Sequence, residues 1–397
     1  MLTMTTACAM VSSQDSRLDY PQWRGVHRDG EASSFLVPAR WPEKLARVWT
    51  VEVGPGYATP LLVGNSVYVF TRHGDDEVMM SLDAGTGRLQ WQAGYPAPYV
   101  PGKPTAAHGT GPKATPVFHQ GRLFTLGISG IVAAFDATTG ALLWRTAPPA
   151  EPPFFSAASS PAAEGALVFA HPGNYGPLTA FDAVSGAVKW TAGEGGFFAS
   201  PTVATIASRR QVITVTQKSV IGVSILDGAV LWRFPWTGTA GGTMPIVYGE
   251  TVIVSGLDLG VVAFTPTLRD GAWSVDRRWE TTGVSMYLSN PVVVGDTIFG
   301  FSHRQRGQYF ALDARSGATL WLGEPRQATN SAIVKAGHVL FFLNDDAELL
   351  VATSNRSHFE LMRRYTVAQS ATWAQPAISG NRMFIRDVST LSVFTVP

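Results

Sequence analysis

The chain has 397 residues, enough for two ordinary domains or one long repeat array, and its 45% apolar share can fill a continuous core. The formal net charge is +1 with no long run of like charge, which excludes the electrostatic footprint of a nucleic-acid binder. With 40 Gly and 26 Pro and few helix-favouring charged residues, the composition is that of many short strands joined by tight turns, an all-β chain.

The first segment, MLTMTTACAMVSS, is weakly apolar and carries no basic residue, so residues 1–19 are expected to be a leader remnant or flexible tail. Thr6-Ala7-Cys8 is close to a lipoprotein cleavage box, but Thr5 stands where Leu is usual. Cys8 is the only cysteine, so an internal disulfide and a cysteine-based zinc site are excluded. No stretch reaches the roughly 18 consecutive apolar residues that would span a bilayer.

Beyond a YPQWRG…RDG segment at Tyr20 to Gly30, ARVWTVEV around Trp49 reads as an isolated strand. A clause then recurs: SLDAGTGRLQW, AFDATTGALLW, AFDAVSGAVKW and ALDARSGATLW. In each, Gly follows Asp by four residues and Trp follows Gly by four, at Asp83–Gly87–Trp91, Asp136–Gly140–Trp144, Asp182–Gly186–Trp190 and Asp313–Gly317–Trp321. Worn copies end at Trp232 and Trp279, and the Trp-to-Trp steps fall between 42 and 53 residues, a propeller-blade period. Midway between these lies a second marker, a small or polar residue before Pro and a β-branched run, at Pro60, Pro116, Pro161, Pro201, Pro245, Pro291 and Pro376, with Ala332 replacing Pro in one copy.

Eight copies of the second marker predict eight blades. Each has a Pro-led inner strand A, an alternating strand B, the Asp-Ala strand C and the Trp-bearing outer strand D. Asp-x-x-x-Gly is the C–D turn, with Gly taking a positive φ and the carboxylate bonding nearby amides. The recurrent Trp fills the gap between blades. The last unit stops after strand C, and the orphan strand at Trp49 supplies its strand D, so residues 20–397 are expected to close as one eight-bladed β-propeller.

The DAxTGxxxW clauses, together with the segment at Tyr20 to Gly30, resemble the pyrroloquinoline-quinone-type (PQQ-like) β-propeller repeat family. That family includes dehydrogenases and BamB, the periplasmic propeller of the outer-membrane barrel assembly machine. The resemblance implies a periplasmic or cell-surface protein of the bacterial envelope, and carries function weakly because the repeat serves many roles. Quinoprotein dehydrogenases hold PQQ beneath an adjacent-cysteine disulfide with Ca²⁺ on carboxylate and amide side chains. This chain has no Cys-Cys pair, no long roofing insertions and no Cys-x-x-Cys-His haem motif, which argues against PQQ and against a dehydrogenase.

In a propeller the D–A and B–C connections surround one mouth of the central channel. On the D–A side the sequence places Tyr57, His108 with Lys113, Tyr287 with Asn290, and Trp373; on the B–C side it places Asp258, His303 with Arg306 and Gln308, and Asp345. Singly, each is an ordinary loop residue. Together they suggest a small-molecule site, with Tyr57, Tyr287, Asn290, Gln308 and Trp373 contacting the ligand. Lys113 and Arg306 would hold an anion and His108 or His303 would move a proton. A metal version uses His108, His303, Asp258 and Asp345 on Zn²⁺ or Mn²⁺, giving a hydrolase of an anionic ester or phosphate. The alternative is a non-catalytic BamB-like scaffold that docks an envelope protein partner. Against that alternative stands the polarity of the loops, since docking requires an apolar or aromatic patch. The sequence carries no signal of oligomeric state.

Overall fold

The computed structural model describes residues 19–196, 198–237 and 241–396, so the expected leader and Cys8 lie outside the described residues. Eight antiparallel sheets of four strands each form the ring. Blades 1 to 7 occupy residues 61–96, 117–145, 162–192, 202–235, 246–281, 292–322 and 331–366, each in the order A-B-C-D. Blade 8 takes strands A to C from residues 377–395 and its strand D from Ala46–Glu52, which pairs antiparallel with Thr390–Thr395. The closure expected from the two incomplete ends is therefore formed, with the last strand, Thr390–Thr395, paired on both sides.

The repeated clause is an inter-blade lock. Its Asp builds the turn: Asp182 Oδ1 accepts the N–H groups of Val184 and Ser185 and the Ser185 hydroxyl, and Asp136 and Asp313 do the same in their blades. Its Gly and Trp act across blades. The Trp144 ring covers Gly186 of the next blade so closely that a Cβ there would sit 2.5 Å from ring carbons. The Trp144 indole N–H donates to the Ala183 carbonyl of the same turn at 3.3 Å. Trp49 does this to Gly87 and Ala84, and Trp279 to Gly317 and Ala314. Because Trp49 sits on the N-terminal strand, the same lock joins blade 8 to blade 1.

A second latch crosses that seam. Arg386 of blade 8 is fully buried and donates to the carbonyls of Phe70 at 2.7 Å and Ala58 at 3.2 Å in blade 1 and the connection before it. Burial lowers its guanidinium to about 9. It is a structural strut rather than a rim group open to a ligand.

Residues 20–34, outside the repeats, cross the channel at its A–B end. Tyr20 pairs with Leu62 of blade 1, Phe118 N–H of blade 2 donates to Pro21, Gly30 accepts from Lys335 N–H of blade 7, and Ser34 Oγ accepts from Gly380 of blade 8. Arg24 donates to the Pro291 carbonyl at 2.5 Å in blade 6, and Arg28 to Pro161 at 2.9 Å in blade 3. The segment thus spans the ring and seals one end of the channel. Its Trp23 ring lies 6.0 Å from the Arg24 guanidinium and 5.9 Å from that of Arg28.

Two glycine substitutions separate the lock from backbone strain. Gly186 and Gly337 both hold positive φ, 72° and 58°, but only Gly186 faces a neighbouring ring, and nothing lies within 4 Å of a Cβ at Gly337. Gly337→Ala is expected to cost about 1 kcal/mol and Gly186→Ala about 2 kcal/mol more, read from denaturant midpoints. Equal costs would contradict the lock.

Candidate functional site

The open end of the channel holds a cavity of about 450 Å³. Every D–A connection contributes to its wall: Tyr57, His108 with Lys113, Phe155 with Ser156, Phe198, Gly242, Tyr287, Asn330 and Trp373, in blade order. Trp23 of the crossing segment forms part of the wall from the sealed end. His303 is the B–C residue that joins them, together with Phe301 at the end of the same strand B.

The wall is strongly aromatic. The His108 ring stands edge-on to Trp373 at 4.7 Å between centroids and to Tyr57 at 6.2 Å. Phe198 meets Phe155 at 6.3 Å and Tyr175 at 6.0 Å, and Tyr287 meets His303 at 6.0 Å. Phe154, Leu257, Leu288 and Val100 stand exposed on the connections around the opening. The loops are thus less polar than the sequence suggested, because their aromatic residues are scattered along the chain and gather only when the ring closes. The objection to a docking scaffold loses its basis.

The loop carrying His108 and Lys113 is also less free than its glycines suggest. A short 3-10 helix, Lys103–His108, ends at His108. Gly111 then packs against Pro55 and Gly56, while Pro112 accepts the Tyr57 N–H at 2.8 Å. This fixes Lys113 at the wall, where its ammonium makes no hydrogen bond or ion pair among the described residues. Burial lowers its titration to about 8. Burial, and then the Lys113 charge, also push His108 below its ordinary value, against an opposing pull from Asp345.

Beneath the rings runs a ladder of side-chain acceptors from the residues before four of the Pro markers, Thr115, Ser160, Ser200 and Asn290. Thr115 Oγ1 accepts the Thr59 N–H, Ser160 Oγ the Thr115 N–H and Ser200 Oγ the Ser160 N–H, each at 2.9 Å. Asn290 Oδ1 accepts the Met244 N–H at 2.8 Å. Each bond links neighbouring inner strands, which explains why the marker begins with Thr, Ser or Asn. Sequence reading saw the marker but missed this use of it.

The B–C residues fare differently. His303 reaches the cavity, with Nε2 3.0 Å from Asp258 Oδ1 and Nδ1 2.9 Å from the Ser285 carbonyl. Asp258 itself is exposed and off the wall. Arg306 projects from an exposed turn at a positive φ of 61°, and Gln308 Nε2 is spent on the Gly323 carbonyl at 2.7 Å; neither lines the cavity. Asp345 Oδ1 accepts the Thr329 and Asn330 N–H groups at 2.9 Å, holding the D–A connection of blade 7. The four expected metal ligands do not converge: His108 sits among aromatic rings, Asp345 on backbone amides, and His303 with Asp258 makes only a pair. Among the described residues, no three His, Cys, Asp or Glu side chains gather as a metal site. His171, just after strand B of blade 3, is buried between Gly176 and Thr214, and that burial lowers its titration to about 4.

A family model described as outer membrane protein assembly factor BamB matches residues 102–323 and 198–392, most of the ring. The chain belongs to this BamB family. A BamB of Yersinia pestis is 24% identical over 324 residues, covering 77% of this chain and 67% of the relative. The crystal structure of BamB from Moraxella catarrhalis superposes with a TM-score of 0.63 at 16% identity, over 88% of this chain and 97% of that one. A europium-containing methanol dehydrogenase superposes at 0.68 with 11% identity, over 96% and 98%. The quinohemoprotein alcohol dehydrogenase of Comamonas testosteroni gives 0.65 with 13% identity, over 97% and 81%. These structural likenesses concern the fold.

The dehydrogenase neighbours make PQQ the cofactor to test against the residues. The cavity wall bears no carboxylate and no cysteine among the described residues, and Trp23 reaches into it from the sealed end. A Ca²⁺-bound quinone finds neither its carboxylate ligands nor its disulfide here, so the donor set does not fit and no step through PQQ follows.

The pre-Pro ladder gives its own test. Ser160→Ala leaves the buried Thr115 N–H without an acceptor and is expected to cost about 1–3 kcal/mol, whereas Ser160→Thr, which keeps the hydroxyl, costs less. Thermal and denaturant unfolding read both, and equal losses would count against the ladder.

Proposed function

We propose that this BamB-family chain is a non-catalytic scaffold of the bacterial envelope, which docks a partner of the outer-membrane barrel assembly machinery on the open mouth of its channel. The observation that carries the reading is the aromatic mouth. Tyr57, Phe155, Phe198, Tyr287 and Trp373 ring a concave centre, with Phe154, Leu257 and Leu288 exposed around it. Tyr, Trp and Phe around a concavity are the composition of binding hot spots. A periplasmic or cell-surface location accords with the family, and the structure contains no helix long and apolar enough to cross a membrane among the described residues. The hydrolytic reading lacks comparable support: its ligands are dispersed, and Arg306 lies outside the wall of the cavity that Lys113 lines.

The test is co-purification with the assembly machine from the native envelope. Phe154→Asp and Leu288→Asp place charges on the mouth, and Leu226→Asp does so on an exposed C–D turn at the opposite face. The two mouth variants are expected to lose about tenfold or more of the captured partner at unchanged melting temperature, with Leu226→Asp behaving as wild type. Capture unaffected by both mouth variants, or abolished by Leu226→Asp alone, would overturn the assignment.

A further inference from the structure

The cavity below the docking rim offers several donors without acceptors, beside one buried acceptor, Gln375 Oε1, without a donor among the described residues. Lys113 Nζ offers up to three protons and meets no acceptor among the described residues. The hydroxyl oxygens of Thr115, Ser160 and Ser200 each accept a backbone N–H from the neighbouring blade, and their own protons have no acceptor among the described residues. Each of these residues lines the cavity. The wall therefore presents an ammonium and an arc of hydroxyl donors and no carboxylate, with Arg24 and Arg28 buried beside Trp23 at the sealed end. Water can satisfy the hydroxyls, but a half-buried ammonium with no protein partner among the described residues is best balanced by one negative charge.

The other half of the wall is flat and aromatic. Trp373, Tyr57 and Tyr287 supply aromatic rings there, and the negative quadrupole of an aromatic face suits the partly positive C–H faces of a saturated ring. At about 450 Å³ the cavity suits one ring with its substituents rather than a polymer.

We propose that the channel mouth binds a sugar ring bearing one carboxylate, with Lys113 Nζ on the carboxylate, the Thr115, Ser160 and Ser200 hydroxyls on ring oxygens, and Trp373 and Tyr57 as the stacking walls. The site shares Tyr57 and Trp373 with the aromatic mouth read above as a docking surface, but its test reads ligand binding by the chain alone, so either reading can fail without the other. Lys113 is what makes it select an acid over a neutral sugar.

The titratable neighbours allow the charge to be followed. Facing Lys113 in the cavity are His108 on its own connection, Tyr57 before blade 1 and His303 after strand B of blade 6, with Asp345 acting on His108 from blade 7 and Arg386 and Asp387 acting on Tyr57 from blade 8. His108 titrates below its ordinary value and Tyr57 above its own, so neither changes charge between pH 7 and about 9. Lys113, lowered to about 8, does. The ammonium is present below that value and lost above it, so affinity for the acid falls as pH rises through it.

Calorimetric titration of the full chain with D-glucuronate, with D-glucose as neutral counterpart, tests the site. Glucuronate is expected to bind with a Kd of about 1 mM or tighter, at least tenfold better than glucose. Lys113→Met should abolish that preference by weakening glucuronate binding about tenfold or more, with the melting temperature unchanged. In the unmodified protein, glucuronate affinity should fall about tenfold from pH 7 to about 9 with glucose unaffected. Absence of glucuronate binding, equal binding of the two sugars, or a preference that survives Lys113→Met or the rise in pH would overturn the proposal.

Discussion

The docking of an outer-strand Trp on the next blade's glycine turn, made by Trp49, Trp91, Trp144, Trp190 and Trp279, is the constraint from which the rest of this molecule follows. A blade alone leaves both faces bare, and only a neighbour at fixed distance and angle can cover them. The Trp ring sets that distance, because the positive-φ Gly beneath it leaves no space for a Cβ, and the indole N–H sets the angle by reaching the turn's own carbonyl. Repeated around the ring and carried across the seam by Trp49, the lock brings the eight inner strands close enough for the pre-Pro ladder to form. Channel width, and with it the cavity at the mouth, is a consequence of these two layers of inter-blade contact.

The two ends of the channel are made unequal by a segment that belongs to no blade. Residues 20–34 cross the ring and tie opposite inner strands through Arg24 and Arg28, whose guanidinium groups are satisfied mainly by carbonyls rather than carboxylates. With that end closed, a ligand or partner can approach the channel only from the D–A side. The aromatic rings and the free ammonium of Lys113 lie on that side. The fold thus concentrates its unusual chemistry at one opening, while the C–D turns of the opposite face are occupied by carboxylates bonded to their own backbone.

Much of this was legible in the sequence, for physical reasons that also mark the limit. The clause fixes strand, turn and packing residue in eleven positions, so blade number, the C–D turns and ring closure could be read directly. Tyr57, His108, Lys113, Tyr287, Asn290 and Trp373 could be placed on the mouth because each precedes a Pro marker at short range, and the marker starts the inner strand. The B–C residues follow no such marker. Arg306 and Asp258 sit at positive φ in exposed turns and do not line the cavity, and no spacing rule reports that placement. The crossing segment was opaque for another reason: Arg24 reaches Asn290 across 266 residues, and a contact of that span leaves no local pattern. The aromatic character of the mouth was hidden likewise, since its rings come from different connections and meet only in the closed ring.

The central claim is that the open, aromatic mouth is the working face of this BamB-family propeller. The most direct measurement is amide hydrogen exchange by mass spectrometry on the protein alone and in complex with the assembly machine. The account predicts protection confined to the D–A and B–C connections, foremost the segments around Lys103–His108, Phe154 and Tyr287. Exchange on the C–D turns would be unchanged. Protection of the C–D turns or of the outer D strands, with the mouth left as in the free protein, would contradict it.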